Sequence, residues 1–308
     1  MAFSIADIPD QTGRVAIVTG GTAGLGLQSV IALARKGCHV IFTARNATRG
    51  QEALDKIQAT IAPASCKVEY GIADNEDLAS VAAFADAFLA RNLPLHILLL
   101  NAGRGFGPYQ AIHGVESMLF NNHVAHQLLA IRLLPVLKSS APSRVVIVSS
   151  GLHALPTELD LDLPSEDKYN SMTAYGTSKV ANILMGHGLL KQIGSAKVYV
   201  NSLHPGLVAT PTPEKQFVLT QFPGFIGRFL GFLLKTYLRW FGVAPETGAL
   251  TQLYLATSPE VEKNEWQGQY FTPLAKLDKA TPLSRDPVQV ERLWSWTNDV
   301  INRVLSKN

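Results

Sequence analysis

Short apolar runs rich in β-branched residues alternate with longer stretches of helical composition as far as residue 210. The runs are residues 15–19, 40–44, 67–72, 96–100, 145–149 and 197–204. Their length and their Val, Ile and Leu content suit strands buried on both faces. Residues 51–59, 78–90 and 114–137 fall between them and read as helices. This alternation predicts an α/β fold, a doubly wound parallel sheet of Rossmann type with its site at the strands' carboxyl ends.

Beyond Thr210 the pattern changes. Pro211-Thr-Pro-Glu-Lys215 reads as a loop, and Phe217 to Phe241 is strongly apolar but carries Arg228, Lys235 and Arg239. At about 100° per residue these cations share one side of a helix, opposite Ile226, Leu230, Leu233, Tyr237 and Phe241. Three charges make it a poor membrane span. The first reading is a greasy lid over a substrate. A basic amphipathic helix lying on a membrane surface is the second, and an ordinary core helix the third. A helix is expected from Pro245 and a last strand over 267–273. The chain is thus taken as one domain, 1–308: a core over 10–210, a lid over 211–245, and a helix, last strand and tail over 246–308.

Composition narrows the function classes. Hydrophobic residues make up 47% of the 308, enough for a two-sided sheet core. The net charge is only +3 and basic residues are scattered, so no nucleic-acid groove is expected. The two cysteines, Cys38 and Cys66, form neither a ligand set nor a disulfide framework, which suits a reducing compartment. The start, Met1-Ala-Phe-Ser-Ile-Ala-Asp-Ile-Pro-Asp10, has no basic n-region and no long apolar core, so no signal peptide or N-terminal anchor is expected. The expected location is cytoplasmic, with contact to a membrane or lipid-droplet surface through 217–241 under the second reading of that segment.

Two motifs carry chemistry. In Thr19-Gly-Gly-Thr-Ala-Gly-Leu-Gly26 a glycine-rich turn joins a strand to a helix. Gly20, Gly24 and Gly26 let the backbone approach a pyrophosphate, and the helix N-terminus favours its charge. With Thr22 and Leu25 they are assigned to a dinucleotide. In Tyr175-Gly-Thr-Ser-Lys179 a phenol and an ammonium stand four residues apart, on one face of a helix. A nearby cation lowers the pKa of a tyrosine, which is about 10 when free, toward the range of a useful base. The residue after the second strand selects the cofactor. Ala44-Arg45-Asn46 holds no acid for a ribose 2′-OH, and Arg45 offers a planar cation for a 2′-phosphate. NADP is therefore preferred to NAD. His123 and His126 stand three apart with no carboxylate pair at ligand spacing, and read as partly buried helix histidines; no metal site is assigned.

With several further segments in order, the chain resembles the short-chain dehydrogenase/reductase family. Leu98-Leu-Leu-Asn101-Ala-Gly103 is similar to the family's Asn-Asn-Ala-Gly segment, with Leu100 in place of the first Asn. Phe120-Asn-Asn122-His-Val-Ala-His126 resembles its asparagine-bearing helix. Arg144-Val-Val-Ile-Val-Ser-Ser150 is similar to the strand ending in the catalytic serine. His204-Pro205-Gly206-Leu-Val208-Ala-Thr210 resembles the segment beside the nicotinamide. The His-Pro-Gly-x-Val-x-Thr form and the wide interval from Ser150 to Tyr175 look most like the retinol-dehydrogenase-like branch and its fungal relatives.

The resemblance implies an oxidoreductase. Tyr175 is its general acid/base, Ser150 orients the reacting oxygen, and Lys179 lowers the Tyr175 pKa. Asn122 would hold a water linking Lys179 to solvent. Asn101, Ala102, Gly103, Pro205, Gly206, Val208 and Thr210 join Tyr175 and Lys179 around the cofactor. Asp74 takes the adenine position, although alone it reads as a helix cap. Ser149 is the competing serine and Tyr169 a loop aromatic. The expected substrate is a hydrophobic ketone or aldehyde, or the matching alcohol, in specialised metabolism. A dehydratase, isomerase or epimerase on the same scaffold, and a non-enzymatic NADPH sensor, are the alternatives. A homodimer is expected through 114–137 and 175–191.

Overall fold

The computed structural model describes residues 3–61, 67–162, 164, 166–208 and 242–307. Cys66, Thr210 and the proposed lid helix over 217–241 lie outside the described residues.

The strands are β1 (Val15–Val18), β2 (His39–Ala44), β3 (Val68–Ile72), β4 (Ile97–Leu100), β5 (Ala111–Ile112), β6 (Val115–Glu116), β7 (Ser143–Val148), β8 (Val198–Leu203), β9 (Tyr270–Thr272) and β10 (Lys276–Asp278). Eight form one sheet in the order β10-β9-β8-β7-β4-β1-β2-β3. All its pairings are parallel except β10 on β9. The chain order reverses between β1 and β4, which opens a crevice at the strands' carboxyl ends. Every residue of β1, β4, β7 and β8 is buried, as strands covered on both faces require.

The main helices are α1 (Gly24–Arg35), α2 (Ala47–Thr60), α3 (Leu78–Leu89), α4 (Ser117–Leu119), α5 (Ala125–Ser139) and α6 (Ser171–Ile193). Side chains set several starts: Asn46 caps α2 by accepting from Arg49 N, Asp77 caps α3, and Asn170 caps α6. Asp77 thus holds the cap that the sequence offered to Asp74.

The stretch 114–137 is not one helix. Gly114, at φ +75°, turns the β5–β6 hairpin. Glu116 then caps α4, accepting from the amides of Met118 and Leu119. A π turn over Phe120–Val124 leads into α5. The single extra residue of a π turn rotates the helix beyond it, and such turns gather at functional sites.

The C-terminal tail is a 19-residue helix, Pro287–Leu305, capped by Asp286 with Pro287 in its first turn. It buries Val290, Leu293, Val300, Ile301 and Val304 in the core shared by α3, α5 and α6. A Cβ on Gly188 would stand 2.3 Å from the Trp294 ring, so only glycine lets the two helices close. His123 Nε2 meets Thr297 Oγ1 at 2.8 Å, and Gln127 donates to Asn298 Oδ1 at 3.0 Å. The last helix therefore packs on α6 and α3 and touches the start of α5 through Gln127. Among the described residues no helix is long and apolar enough to cross a membrane.

Candidate active site

The crevice floor is the turn after β1. Gly20 and Gly24 have φ of +66° and +54°, a region open to glycine without strain. A Cβ on Gly20 would press Ala102 Cα at 2.9 Å, and one on Gly26 would strike Gly20 O at 2.3 Å and Asn101 Nδ2 at 2.6 Å. The turn and the β4 end are therefore fitted to each other. Thr19 knits them: its Oγ1 accepts from the amides of Asn101 (2.8 Å) and Ala102 (2.9 Å). Asn101 Nδ2 returns a bond to Thr19 O at 2.9 Å. Leu100, where the family has its first Asn, is simply core. With both lone pairs of Thr19 Oγ1 engaged, its proton has His126 Nε2 as an acceptor at 3.0 Å. Both histidines of the 123/126 pair are buried, and burial pushes each down to about 3, so both are neutral. No metal-ligating cluster occurs among the described residues.

This cradle fits a dinucleotide. The first turn of α1 receives no side-chain cap, so its amides are not occupied by one. Thr22 and Leu25 flank that turn half-buried. Leu25 and Val208 both close on Gly248, where a Cβ would meet them at 2.8 and 2.7 Å. Val208 bridges Val243, and Gly206 N donates to His204 Nδ1 at 3.0 Å, which shapes the His204-Pro205-Gly206 corner.

Arg45 follows β2, 46% exposed. Its guanidinium is held by Asp74 Oδ1 at 3.2 Å and Glu76 Oε1 at 2.7 Å. Glu76 also receives Arg104 at 3.1 Å. Asp74 Oδ1 further accepts from Glu76 N. Asn46, beside Arg45, serves the α2 cap.

The candidate reacting groups lie after the end of β7 and in the first turns of α6. Ser149 is buried and donates to Lys179 O at 2.8 Å, a structural bond that removes it as competitor. Ser150 begins a 3₁₀ turn over Gly151–Ala154; its hydroxyl oxygen accepts from Leu152 N at 3.2 Å, and its side chain acts on the Tyr175 hydroxyl to lower that group's pKa. Phe106 packs on Tyr175 with ring centroids 5.0 Å apart. Lys179, one turn on, is buried; its Nζ lies 5.4 Å from the Tyr175 ring centroid and donates to Val148 O at 3.3 Å.

This corrects the expected electrostatics. Burial raises the Tyr175 pKa, the Ser150 bond offsetting it only in part, and Lys179 is not among the causes. Burial lowers Lys179 itself to about 8.

Asn122 sits on the π turn, wholly buried. Its Oδ1 accepts from Arg104 N at 2.6 Å, and its Nδ2 donates to Arg104 O and Ser178 Oγ, both at 3.0 Å. Ser178 in turn donates to Tyr175 O at 2.7 Å. The Asn122 side chain thus braces the loop after β4 against the tyrosine helix. A Cβ on Gly103 would come 3.4 Å from Lys179 Nζ, so this loop faces the ammonium. Tyr169 is a loop aromatic, set on Glu116 at 3.4 Å and edge-on to Tyr109.

The profile of the family described as short chain dehydrogenase matches residues 14–218. The chain belongs to that family. Retinol dehydrogenase 12 of Bos taurus is 35% identical over 92% of the chain and 84% of its own length. An uncharacterized oxidoreductase of Schizosaccharomyces pombe is 34% identical over 97% and 88%. These relatives place the chain in the retinol-dehydrogenase-like branch with fungal members. Among solved structures, an uncharacterized protein of Mycobacterium Paratuberculosis superposes with a TM-score of 0.73 at 26% identity, covering 98% of both chains. L-sorbose reductase of Gluconobacter frateurii, solved with NADPH and L-sorbose, superposes at 0.66 with 21% identity over 88% of this chain and all of that one, a likeness of fold.

Several working parts of this short-chain dehydrogenase were not foreseen. Thr19, Ser178 and Arg104 act through contacts between segments distant in sequence. His153 stands three residues after Ser150, a proximity along the sequence that could have marked it.

Proposed function

We propose that the protein is an NADP(H)-dependent oxidoreductase that reduces a ketone or aldehyde of a hydrophobic small molecule, or oxidises the matching alcohol. The observation that carries this reading is the Ser150–Tyr175 hydroxyl pair backed by the buried Lys179 ammonium. When bound, the nicotinamide dinucleotide supplies or takes up the hydride. Tyr175 donates its proton to the carbonyl oxygen in reduction, and its phenolate takes the proton back in oxidation. The Ser150 hydroxyl orients the same oxygen. Lys179 keeps mostly its charged form at neutral pH, beside Gly103 where a ribose would lie. Asn122 fixes the loop that Gly103 belongs to. Gly20, Gly24, Gly26, Asn101, Ala102, Pro205, Gly206, Val208 and Thr210 complete the cofactor site.

Apolar side chains near the reacting groups favour a hydrophobic substrate. Leu155, Met172 and Leu207 are 46%, 39% and 44% exposed, and each lies within five residues of Ser150, Tyr175 or Gly206 along the chain. With Phe106 over Tyr175, they suit a polyketide-, terpenoid-, steroid- or retinoid-like carbonyl compound of specialised metabolism rather than a sugar. The cytoplasm is the proposed location, with 217–241 as the segment able to touch a membrane or lipid-droplet surface.

Arg45 is proposed to read the 2′-phosphate. To do so it must exchange Asp74 and Glu76 for the phosphate, a planar cation preferring the more highly charged partner. Arg45→Asp is expected to weaken NADPH by about 100-fold while changing NADH by about threefold or less, since a charge-assisted contact carries about 1.5–3 kcal/mol. Fluorescence titration of both cofactors decides it; an unchanged NADPH/NADH ratio sinks the assignment.

The last helix, Pro287–Leu305, packs on α6 and α3. A homodimer through 114–137 and 175–191 is proposed. Light scattering of the purified full chain should give two protomer masses; one protomer mass would contradict it.

A further inference from the structure

We propose that His153 is a positioning residue for Ser150, holding the serine's carbonyl through Nδ1–H so that its hydroxyl stays aimed at Tyr175. This rests on the catalytic roles proposed above for Ser150 and Tyr175.

His153 is 6% exposed, inside the 3₁₀ turn that Ser150 opens. Two partners fix its tautomer independently. Nδ1 lies 2.7 Å from Ser150 O, which can only accept, so Nδ1 carries the hydrogen. Nε2 lies 3.4 Å from Thr281 N, which can only donate, so Nε2 carries the lone pair. The imidazole is therefore neutral. Burial lowers its pKa, with the Ser150 carbonyl opposing only in part.

The ring is held from behind. Tyr270, on β9 and 4% exposed, sets its hydroxyl 3.2 Å from Nδ1 and its ring 4.9 Å from the imidazole. Tyr270 also stands 6.2 Å, ring to ring, from His204, whose Nδ1 accepts from Gly206 N. Buried His153 and Tyr270, with half-buried His204, thus join the serine turn to the His204-Pro205-Gly206 corner proposed to face the nicotinamide. Thr281 ties it to the segment after β10.

Nothing in this cluster reaches the proposed reacting oxygen, so its effect runs through Ser150. The turn has a backbone bond of its own, His153 N to Ser150 O at 3.1 Å. Loss of the imidazole should therefore disturb aim more than fold. A serine hydroxyl displaced by about 1 Å loses up to about 100-fold in rate.

The test compares His153→Leu, which keeps bulk but neither bond, with His153→Gln, whose amide can donate to Ser150 O and accept from Thr281 N. The expected result for His153→Leu is a kcat fall of about 10- to 100-fold, with carbonyl KM and NADPH Kd within about threefold. His153→Gln should recover most of that loss. Nitrogen NMR of the wild type should show Nδ1–H and an unprotonated Nε2, and the same in Tyr175→Phe. Unchanged kcat in His153→Leu overturns the proposal, as does a His153→Gln variant equally impaired. A loss matched by weaker NADPH binding and a lower Tm overturns it as well, since that marks a purely structural residue. If His153→Leu does not fold, the tautomer decides: an Nε2–H imidazole overturns the proposal. A wild type without carbonyl turnover overturns the functional reading instead and leaves the tautomer test standing.

Discussion

Tyr175→Phe is expected to lower kcat by about 10³-fold, within the range of about 10²–10⁴ that a positioned general acid contributes. The substitution removes one oxygen. The ring stays against Phe106, and the Lys179 ammonium stays over its face. NADPH affinity should therefore change by about twofold or less. Because burial raises the Tyr175 pKa, the hydroxyl holds its proton at neutral pH and is ready to donate. Reduction should thus be flat across neutral pH. Alcohol oxidation needs the phenolate and should climb with pH into the alkaline range. Steady-state kinetics in both directions check this. Turnover within tenfold of wild type in Tyr175→Phe would remove the tyrosine from its role.

Gly26→Ala is expected to abolish useful cofactor binding. The added methyl would stand 2.3 Å from Gly20 O, a backbone atom, and 2.6 Å from Asn101 Nδ2, the amide that donates to Thr19 O; both are far inside contact distance. Relief requires moving the α1 start from the β4 end. That breaks the Asn101 bond to Thr19 O and disturbs the Thr19 hydroxyl that gathers Asn101 and Ala102. Overpacking of this kind costs about 1–3 kcal/mol, and here the strain falls on the phosphate cradle. The expected result is an NADPH Kd raised by about 100-fold or more, with a Tm lowered by several degrees. Calorimetric titration and a melting curve read both. Wild-type NADPH affinity in this variant would mean that the cradle is not where the pyrophosphate sits.

Much of the core was legible because buried parallel strands write themselves as continuous apolar runs. β1, β4 and β7 were found within two residues of their ends for that reason. The glycine turn and the Tyr175–Lys179 pair were legible as spacing. The features that escaped reading lay in contacts between distant segments. A helix was expected from Gly114, but the hairpin and the π turn depend on Glu116 capping α4 and on packing against α6 and the C-terminal helix. The helix Pro287–Leu305 has its signals in Asp286-Pro287 and in the apolar spacing of Val290, Leu293, Val300 and Val304, within the stretch expected as tail. Arg45 was read as an arginine awaiting a phosphate; that Asp74 and Glu76 already hold it comes from β3 lying beside β2. Helical spacing places Lys179 beside the Tyr175 ring but carries no information on burial, which raises the Tyr175 pKa.

The central claim is tested most directly by following NADPH oxidation and alcohol formation when purified protein meets a panel of hydrophobic ketones and aldehydes. The account predicts carbonyl-dependent oxidation of NADPH, one alcohol formed per NADPH consumed, and a far slower reaction with NADH. Tight NADPH binding with no alcohol formed from any member of the panel would contradict it.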